Sequence, residues 1–178
     1  MKFTLDTSTA IDKNALRAQA LSLAPYFDTL KAVVEAGDYS APEASLNLPD
    51  DEDMLAQVSA LATRTKTPDL RYIFVIGIGG SNLGTKAIYD ALYSARDMTT
   101  HTETRLIFVD TNDTELLTAC RASIWSCTKP TECLLVSISK SGGTSETLAN
   151  TEILLGVVRE KWGNELARLV VIADADSP

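Results

Sequence analysis

Residues 71–84 read RYIFVIGIGGSNLG, an apolar run rich in β-branched and aromatic side chains that ends among glycines. A continuously apolar run of this length is typical of a buried strand in a parallel sheet. Apolar residues at helical spacing follow from Leu83 to Ala95, and they predict a helix with one apolar side. The glycines therefore mark a turn from a strand into a helix.

Segments of helical pattern then alternate with three further apolar runs, at residues 105–109, 132–138 and 168–173. Asn112, with Glu115 three residues on, is a capping signal for one of these helices. A long helix is predicted from about Ser145 to Trp162. Strands that alternate with helices in this way predict an α/β fold: a doubly wound parallel sheet, flavodoxin-like, with three α/β/α layers. We expect the strand order 2-1-3-4.

The segment before the sheet has a helical pattern. Apolar side chains recur at helical spacing between Asp12 and Ala36, where Pro25 interrupts the pattern and Gly37 ends it. Proline is unfavourable in a helix interior, so the pattern predicts two short helices or one kinked helix.

Residues 38–53 are loop-like, with two prolines and a run of acids. We interpret the acids Asp50–Asp53 as the solvated start of a further helix that reaches Thr65, in preference to a metal site. The prediction is therefore a helical extension over residues 1–67 and a sheet domain over residues 68–178.

The fourth predicted strand leads directly into residues 174–178, with no helix after it. An uncovered parallel edge is a liability that complete domains usually cover. We therefore expect the chain to be a piece of a longer protein, truncated before a second domain, and its open edge to favour self-association.

The composition excludes several functional classes. Of 178 residues, 45% are hydrophobic, and 24 acidic side chains outnumber 16 basic ones, which argues against disorder and against a broad nucleic-acid surface. No apolar run approaches the roughly 20 residues of a membrane span. The three cysteines lack the spacing of a zinc site, and the N-terminus lacks the pattern of a secretion signal. These features predict a cytoplasmic protein with no nucleic-acid or membrane partner.

The first glycine-rich loop, GIGGSNLG (residues 77–84), suits the binding of an anion. Glycines allow a close backbone approach, and Ser81 can cap the helix so that free amides point outward. Two well-known motifs fail by one position. Asn82 stands where the dinucleotide fingerprint needs its third glycine, and Thr85 stands where a P-loop needs lysine, with Lys86 one place late. A tight turn without a ligand remains the alternative.

The second loop, SKSGGTSET (residues 139–147), combines hydroxyl side chains, two glycines and the cation of Lys140. Hydroxyls, amides at a helix start and an ammonium group are the donors that hold phosphate oxygens. A well-capped helix start is the alternative. Because the loops follow strands one and three, which are neighbours in the expected order, both lie at the crevice where ligands bind to such sheets.

Three segments, in this order and spacing, resemble the first sugar isomerase (SIS) domain of the glucose-6-phosphate isomerase family: GIGGSNLG (77–84), VDTND (109–113) and SKSGGTSET (139–147). The resemblance implies that the second loop holds a sugar phosphate through Ser139, Lys140, Ser141 and Thr144. It also implies that Gly79, Gly80 and Ser81 lie beside the sugar. Gly143 departs from the family's commoner threonine, which removes one hydroxyl.

The family interconverts glucose 6-phosphate and fructose 6-phosphate by ring opening and an enediol proton transfer. That reaction needs a carboxylate base and a cation near the developing oxyanion. In the family these groups lie in a second SIS domain and a C-terminal tail, whose motifs are absent from this sequence. The resemblance implies a homodimer for the full-length protein, with no metal or cofactor, and predicts that this chain alone is inactive.

Other candidate residues receive structural interpretations. Glu146 is the one carboxylate near the phosphate loop, but a glutamate in a first helical turn more often complements the helix dipole. His101 is interpreted as a solvated loop residue, and Asp110 as a turn residue rather than a ribose ligand. A non-catalytic phosphosugar-sensing SIS module and a nucleotide-binding domain of Rossmann type remain alternative functions.

Overall fold

The computed structural model describes residues 12–97, 104–163, 168–174 and 176–177. The interpretations of His101 and of the N-terminal four residues lie outside this part of the chain. The protein divides into two compact units, residues 1–62 and 63–178.

The first unit contains helices α1 (Lys13–Ser22) and α2 (Ala24–Ala36) and most of α3 (Glu52–Thr65). Asp12 caps α1 by accepting the Asn14 amide at 2.9 Å. Pro25 lies in the first turn of α2, where its missing N–H costs nothing, so it begins a helix and does not kink one. The prediction of two short helices is confirmed.

The predicted loop over residues 38–53 is wrong for its second half, which forms a 3-10 helix, Ala44–Asp50. The side chain of Asn47 explains why this segment forms a regular structure. It is buried, and its amide donates to the carbonyls of Val33 at 3.3 Å and Asp38 at 2.9 Å. The segment is therefore fastened to the end of α2.

The acidic run opens α3, as predicted. Asp51 accepts the Met54 amide at 2.7 Å and the hydroxyl of Tyr39 at 2.6 Å. Both hydrogen bonds favour the ionised carboxyl and lower its pKa. Most apolar side chains of the three helices are exposed, and Val33 is the buried residue of α2.

The second unit is built on four parallel strands: β1 (Tyr72–Ile76), β2 (Arg105–Val109), β3 (Cys133–Ile138) and β4 (Leu169–Ile172). Their order in the sheet is β2-β1-β3-β4. In the register, Ile76 lies between Val109 and Ser137. The predicted α/β fold, with the order 2-1-3-4, is confirmed.

Three helices connect the strands: α4 (Leu83–Asp97), α5 (Thr114–Ser126) and α6 (Ser145–Trp162). The capping prediction for α5 is wrong by one residue. Asp113, not Asn112, has the extended backbone of a cap, and its carboxylate accepts the amides of Glu115 and Leu116. The bounds predicted for α6 are confirmed.

The hydrophobic core lies between the sheet and the helices α5 and α6. Phe74 and Ile76 of β1 are fully buried in it. Cys120, Cys127 and Cys133 are buried and free, and burial raises the pKa of the Cys120 thiol to about 11. Such a thiol remains protonated and unreactive near neutral pH.

Helix α4 departs from the expected arrangement. The apolar side chains that predict it include Leu83, Ile88 and Leu92, and all three are exposed. The side of the helix that carries Tyr89 meets the sheet, where the ring of Tyr89 packs edge-on against Phe108 at 5.9 Å. Helix α4 therefore contacts β2 through the ring of Tyr89, and not through its exposed apolar side chains.

The edge formed by β4 is open among the described residues. Val171 and Ile172 are 64% and 49% exposed. No helix in the described part of the chain is long and apolar enough to cross a bilayer.

Candidate functional site

The two loops begin side by side because β1 and β3 are neighbours. A Cβ added to Gly77 would lie 2.9 Å from the carbonyl oxygen of Ile138 and 3.0 Å from the Cβ of Ser81. Real Cβ atoms do not come so close to backbone atoms, so only glycine fits. Because Gly77 has no side chain, the first loop starts in contact with Ile138, the residue directly before the second loop.

The first loop forms a 3-10 turn, Gly79–Ser81, with a positive φ of 59° at Gly79. Ser81 lies inside this turn, where its amide donates to the Ile78 carbonyl at 3.2 Å, and α4 begins only at Leu83, so the expected helix-capping role of Ser81 is wrong. Ser81 is half-buried and Gly80 is exposed. The loop presents Gly80 to solvent beside the second loop's origin.

Asn82 occupies the position before α4 that the sequence suggested for Ser81. Its carbonyl accepts the Lys86 amide at 2.9 Å, and its side-chain amide donates to the Gly77 carbonyl at 2.6 Å. The side chain is fully buried, and its Oδ1 has no partner in the structure. Asn82 thus joins the end of β1 to the start of α4 and closes the loop.

The second loop folds around Ser139 and Thr144, whose hydroxyl oxygens lie 3.0 Å apart. Gly142, with a φ of 67°, donates its amide to the Ser139 carbonyl at 3.2 Å. Ser141 accepts the Gly143 amide at 3.3 Å. The structure therefore brings three of the four predicted phosphate ligands into one compact turn.

Lys140, the fourth predicted ligand, has an exposed side chain. Its carbonyl accepts the Asp174 amide at 3.1 Å, which fastens the second loop to the segment after β4. The ammonium group is accessible at the same edge of the sheet as the loops. A lysine there acts as a point charge for an anion.

The start of α6 leaves backbone donors unused. Thr144 stands at the capping position, but its side chain makes no capping hydrogen bond, and the first helical bond runs from the Leu148 amide to the Thr144 carbonyl. The amides of residues 145–147 thus have no acceptor within the described chain. Free amides at a helix start, reinforced by the helix dipole, attract anions.

Glu146 lies in the first turn of α6 and is exposed. Its carboxylate accepts the hydroxyl of Ser145 at 3.1 Å. A carboxylate in a first turn complements the positive end of the helix dipole. Asp110, at the end of β2, pairs with Lys86 across 3.5 Å. Neither acid contacts the hydroxyls of Ser139, Ser141 or Thr144 in these interactions.

Sequence reasoning missed a buried polar layer on α6. Thr147, Asn150 and Thr151 are all at least nine-tenths buried, whereas Leu154 and Val158 continue the same helix into the apolar core. Such a layer is detectable as polar residues at positions i, i+3 and i+4, which belong to one helix face. The pattern can be interpreted in this way only when the side of α6 that faces the sheet is already known.

A cavity of about 490 Å³ lies away from the loops, along the outer edge of β2. Tyr89 and Thr104 line it, but their hydroxyls already bond the Leu106 amide and the Leu70 carbonyl. Its walls are mostly aromatic and aliphatic. Lys66 and Thr85 also line the cavity, but none of the four predicted phosphate ligands is among its lining residues.

Comparison with known proteins agrees with this geometry. The sequence model of the phosphoglucose isomerase family matches residues 20–173. A glucose-6-phosphate isomerase of Carboxydothermus hydrogenoformans is 31% identical over 128 residues, which are 70% of this chain and 26% of that protein. One from Geotalea daltonii is 44% identical over 75 residues, 42% of this chain and 13% of that protein.

Two solved structures are similar. A hypothetical protein of Thermus thermophilus has a TM-score of 0.61 at 25% identity, and the match covers 93% of this chain and 38% of that one. A glucose-6-phosphate isomerase of Chlamydia trachomatis has a TM-score of 0.56 at 26% identity, and the match covers 79% of this chain and 25% of that one. The chain thus spans a minor part of these relatives. It belongs to the phosphoglucose isomerase family.

Proposed function

We propose that this chain carries the phosphate-binding part of a glucose-6-phosphate isomerase. In the whole protein, which we place in the cytoplasm as a homodimer, the activity is the interconversion of glucose 6-phosphate and fructose 6-phosphate. Ser139, Lys140, Ser141 and Thr144 hold the phosphate, and the turn Gly79–Ser81 lies beside the sugar.

One observation carries the proposal: the unused amides of residues 145–147 lie next to a turn of hydroxyls and beside Lys140. These groups offer several directional donors and one full positive charge to a single anion. Each hydrogen bond to a charged group contributes on the order of 1.5–3 kcal/mol. A phosphate dianion can accept from several of them at once, which a neutral sugar cannot.

The chemistry divides between binding and proton transfer. The four phosphate ligands, residues 139–141 and 144, bind the phosphate and orient the sugar chain. The reacting carbons of the sugar therefore lie at a fixed distance from the bound phosphate. Glu146 is exposed and occupied with the helix start, so we do not assign it the role of base. The base and the group that stabilises the enediol oxyanion belong to the remainder of the protein.

The test is a titration of the 15N-labelled chain with fructose 6-phosphate, followed by amide resonances. We expect the amides of residues 145–147 and of Gly80 to shift, while unphosphorylated fructose at the same concentrations leaves them unchanged. The isolated chain should show no isomerase turnover. Equal shifts with both sugars, or shifts confined to other parts of the sheet, would contradict the proposal.

A matched pair of lysine variants sharpens this test. Lys140→Met should weaken binding about tenfold, because one charge-assisted bond is lost. Lys129→Met is the control: Lys129 is also exposed and pairs with Asp69 at 2.9 Å, but it precedes β3 at the opposite edge of the sheet. Loss of affinity in both variants would indicate a general effect of charge and no specific site.

A further inference from the structure

Two atoms in the buried polar layer of α6 have no explanation in the stability of the fold. Thr147 and Asn150 are each 1% exposed, and the Oγ1 of Thr147 and the Oδ1 of Asn150 have no partner in the structure. Polar atoms buried without a hydrogen bond destabilise a protein. Both residues lie in the first two turns of α6, directly behind the unused amides.

Asn150 also forms a hydrogen bond to a neighbouring loop of the sheet domain. Its side-chain amide donates to the Thr111 carbonyl at 3.1 Å, in the loop between β2 and α5. In the sheet, β1 lies between β2 and β3. The side chain therefore links α6, which follows β3, to the loop that follows β2.

The other attachments of α6 hold different parts of the helix. Thr151 lies 2.8 Å, oxygen to oxygen, from Ser137 of β3. At the far end, the ammonium group of Lys161 donates to the carbonyls of Ile124, Trp125 and Cys127, which end α5. These contacts tie α6 to β3 and to the end of α5, whereas the Asn150 side chain ties it to the β2–α5 loop.

We infer that Asn150 is a positioning residue for the phosphate site. It ties the start of α6 to the β2–α5 loop, so that the helix-start amides and the turn of Ser139–Thr144 stay aligned on one anion. Its unpartnered Oδ1 marks a residue retained for the site at a cost in stability. This inference rests on the proposed function, because it concerns the same anion.

The variant Asn150→Leu tests it, since leucine has nearly the same shape and no polar atom. Thr111 is exposed, so its carbonyl can turn to water when the amide is lost. We expect a melting temperature equal to or above that of the parent chain. Affinity for fructose 6-phosphate should fall about tenfold, as it does when outer partners of metal ligands are removed.

Thr151→Val is the matched control, because it removes a buried hydroxyl one residue away. It leaves the Ser137 hydroxyl without its partner, so the melting temperature should fall while the affinity stays within about twofold of the parent. The two variants should therefore show opposite patterns. Unchanged affinity in Asn150→Leu, or a lower melting temperature with parent-like affinity, would overturn the inference.

A measurement on the unmodified chain covers the case in which Asn150→Leu does not fold. The side-chain amide protons of Asn150 should exchange slowly with water and should shift on addition of fructose 6-phosphate. Resonances that stay unmoved at saturation would overturn the inference and leave the proposed function intact. A parent chain that does not bind fructose 6-phosphate would overturn both.

Discussion

Glu132 should make the stability of the chain depend on pH below neutrality. It is 6% exposed, just before β3, and its carboxylate accepts the Thr128 hydroxyl at 2.5 Å and the amides of Thr128 and Lys129 at 3.0 and 2.9 Å. The guanidinium of Arg71 donates to its other oxygen at 3.1 Å. Glu132→Gln removes the negative charge while it keeps the shape of the side chain.

The hydrogen bonds from Thr128 and Arg71 lower the pKa of Glu132 from 4.5 to about 2, against the opposing effect of burial. The folded state therefore holds this proton more weakly than the unfolded chain does. The stabilisation is present above a pH of about 4.5 and is lost as the pH falls towards 2. With 1.36 kcal/mol for each pKa unit, it amounts to roughly 3 kcal/mol at neutral pH.

Urea unfolding of the parent chain and of Glu132→Gln, from about pH 7 down to about pH 3, measures this directly. The parent should be more stable by roughly 3 kcal/mol near neutrality, and the two curves should converge with acidification. The difference between the chains is the relevant quantity, because other carboxyls titrate in both.

Glu160→Gln is the control for the loss of one acidic charge. Its carboxylate forms a two-bond pair with Arg121 at 2.9 and 3.1 Å, but the side chain is 52% exposed. Exposed pairs contribute about 0–1 kcal/mol. A Glu132→Gln chain that keeps the parent's full pH dependence, or that differs no more than Glu160→Gln, would refute the reasoning.

Three further predictions concern the loops, the helix contacts and the open edge. Gly77→Ala should lower the free energy of unfolding in urea by about 1–3 kcal/mol, because its Cβ meets the Ile138 carbonyl at 2.9 Å. Gly84→Ala, in α4 with nothing within 4 Å, should not destabilise. Lys161→Met should lower the melting temperature, since three carbonyls at the end of α5 lose their charged donor; a parent-like value would contradict this. Val171→Lys should reduce concentration-dependent association in size-exclusion chromatography, because Val171 is 64% exposed on an edge strand; unchanged elution would contradict it.

The sheet was predictable because its two central strands, β1 and β3, are largely buried. A fully buried strand must be apolar along its whole length, so runs such as residues 72–76 and 133–138 stand out from the helices. The position of both loops then follows from topology alone, since parallel strands end at one edge. The order 2-1-3-4 was expected because it is a common order of doubly wound, flavodoxin-like sheets.

The side of α4 that meets the sheet could not be predicted in the same way. A hydrophobic stripe shows which side of a helix is apolar, but it does not show which partner that side will meet. In α4 the sheet side carries Tyr89, whose ring packs against Phe108, and Lys86, whose ammonium nitrogen lies 6.0 Å from the centre of the Phe108 ring. The burial of Asn150 could not be predicted for the same reason, because it depends on which side of α6 faces the sheet.

The capping errors have a more local cause. Both helix starts contain two adjacent polar residues, Ser81 and Asn82 before α4 and Asn112 and Asp113 before α5. A cap needs an extended or turned backbone at one particular residue, and neighbouring polar side chains compete for that position. The 3-10 turn at Gly79–Ser81 moved the start of α4 by one residue, and this placed Asn82 inside and left Ser81 half-buried.

The two loops therefore differ in what they offer a ligand. In the first loop, the amides of Ser81 and Asn82 donate to the carbonyls of Ile78 and Gly79 and maintain its turn, while the Gly77 amide joins β1 to β2. In the second loop, the donors at the start of α6 remain unused. The first loop lets a ligand come close, because its glycines take no space, but residues 77–84 include no charged side chain to hold an anion. Under the proposed function, the phosphate therefore lies over α6 and the sugar over the glycine loop. Substitutions in the second loop should then weaken the binding of all phosphorylated sugars alike, whereas substitutions in the first should distinguish one sugar from another.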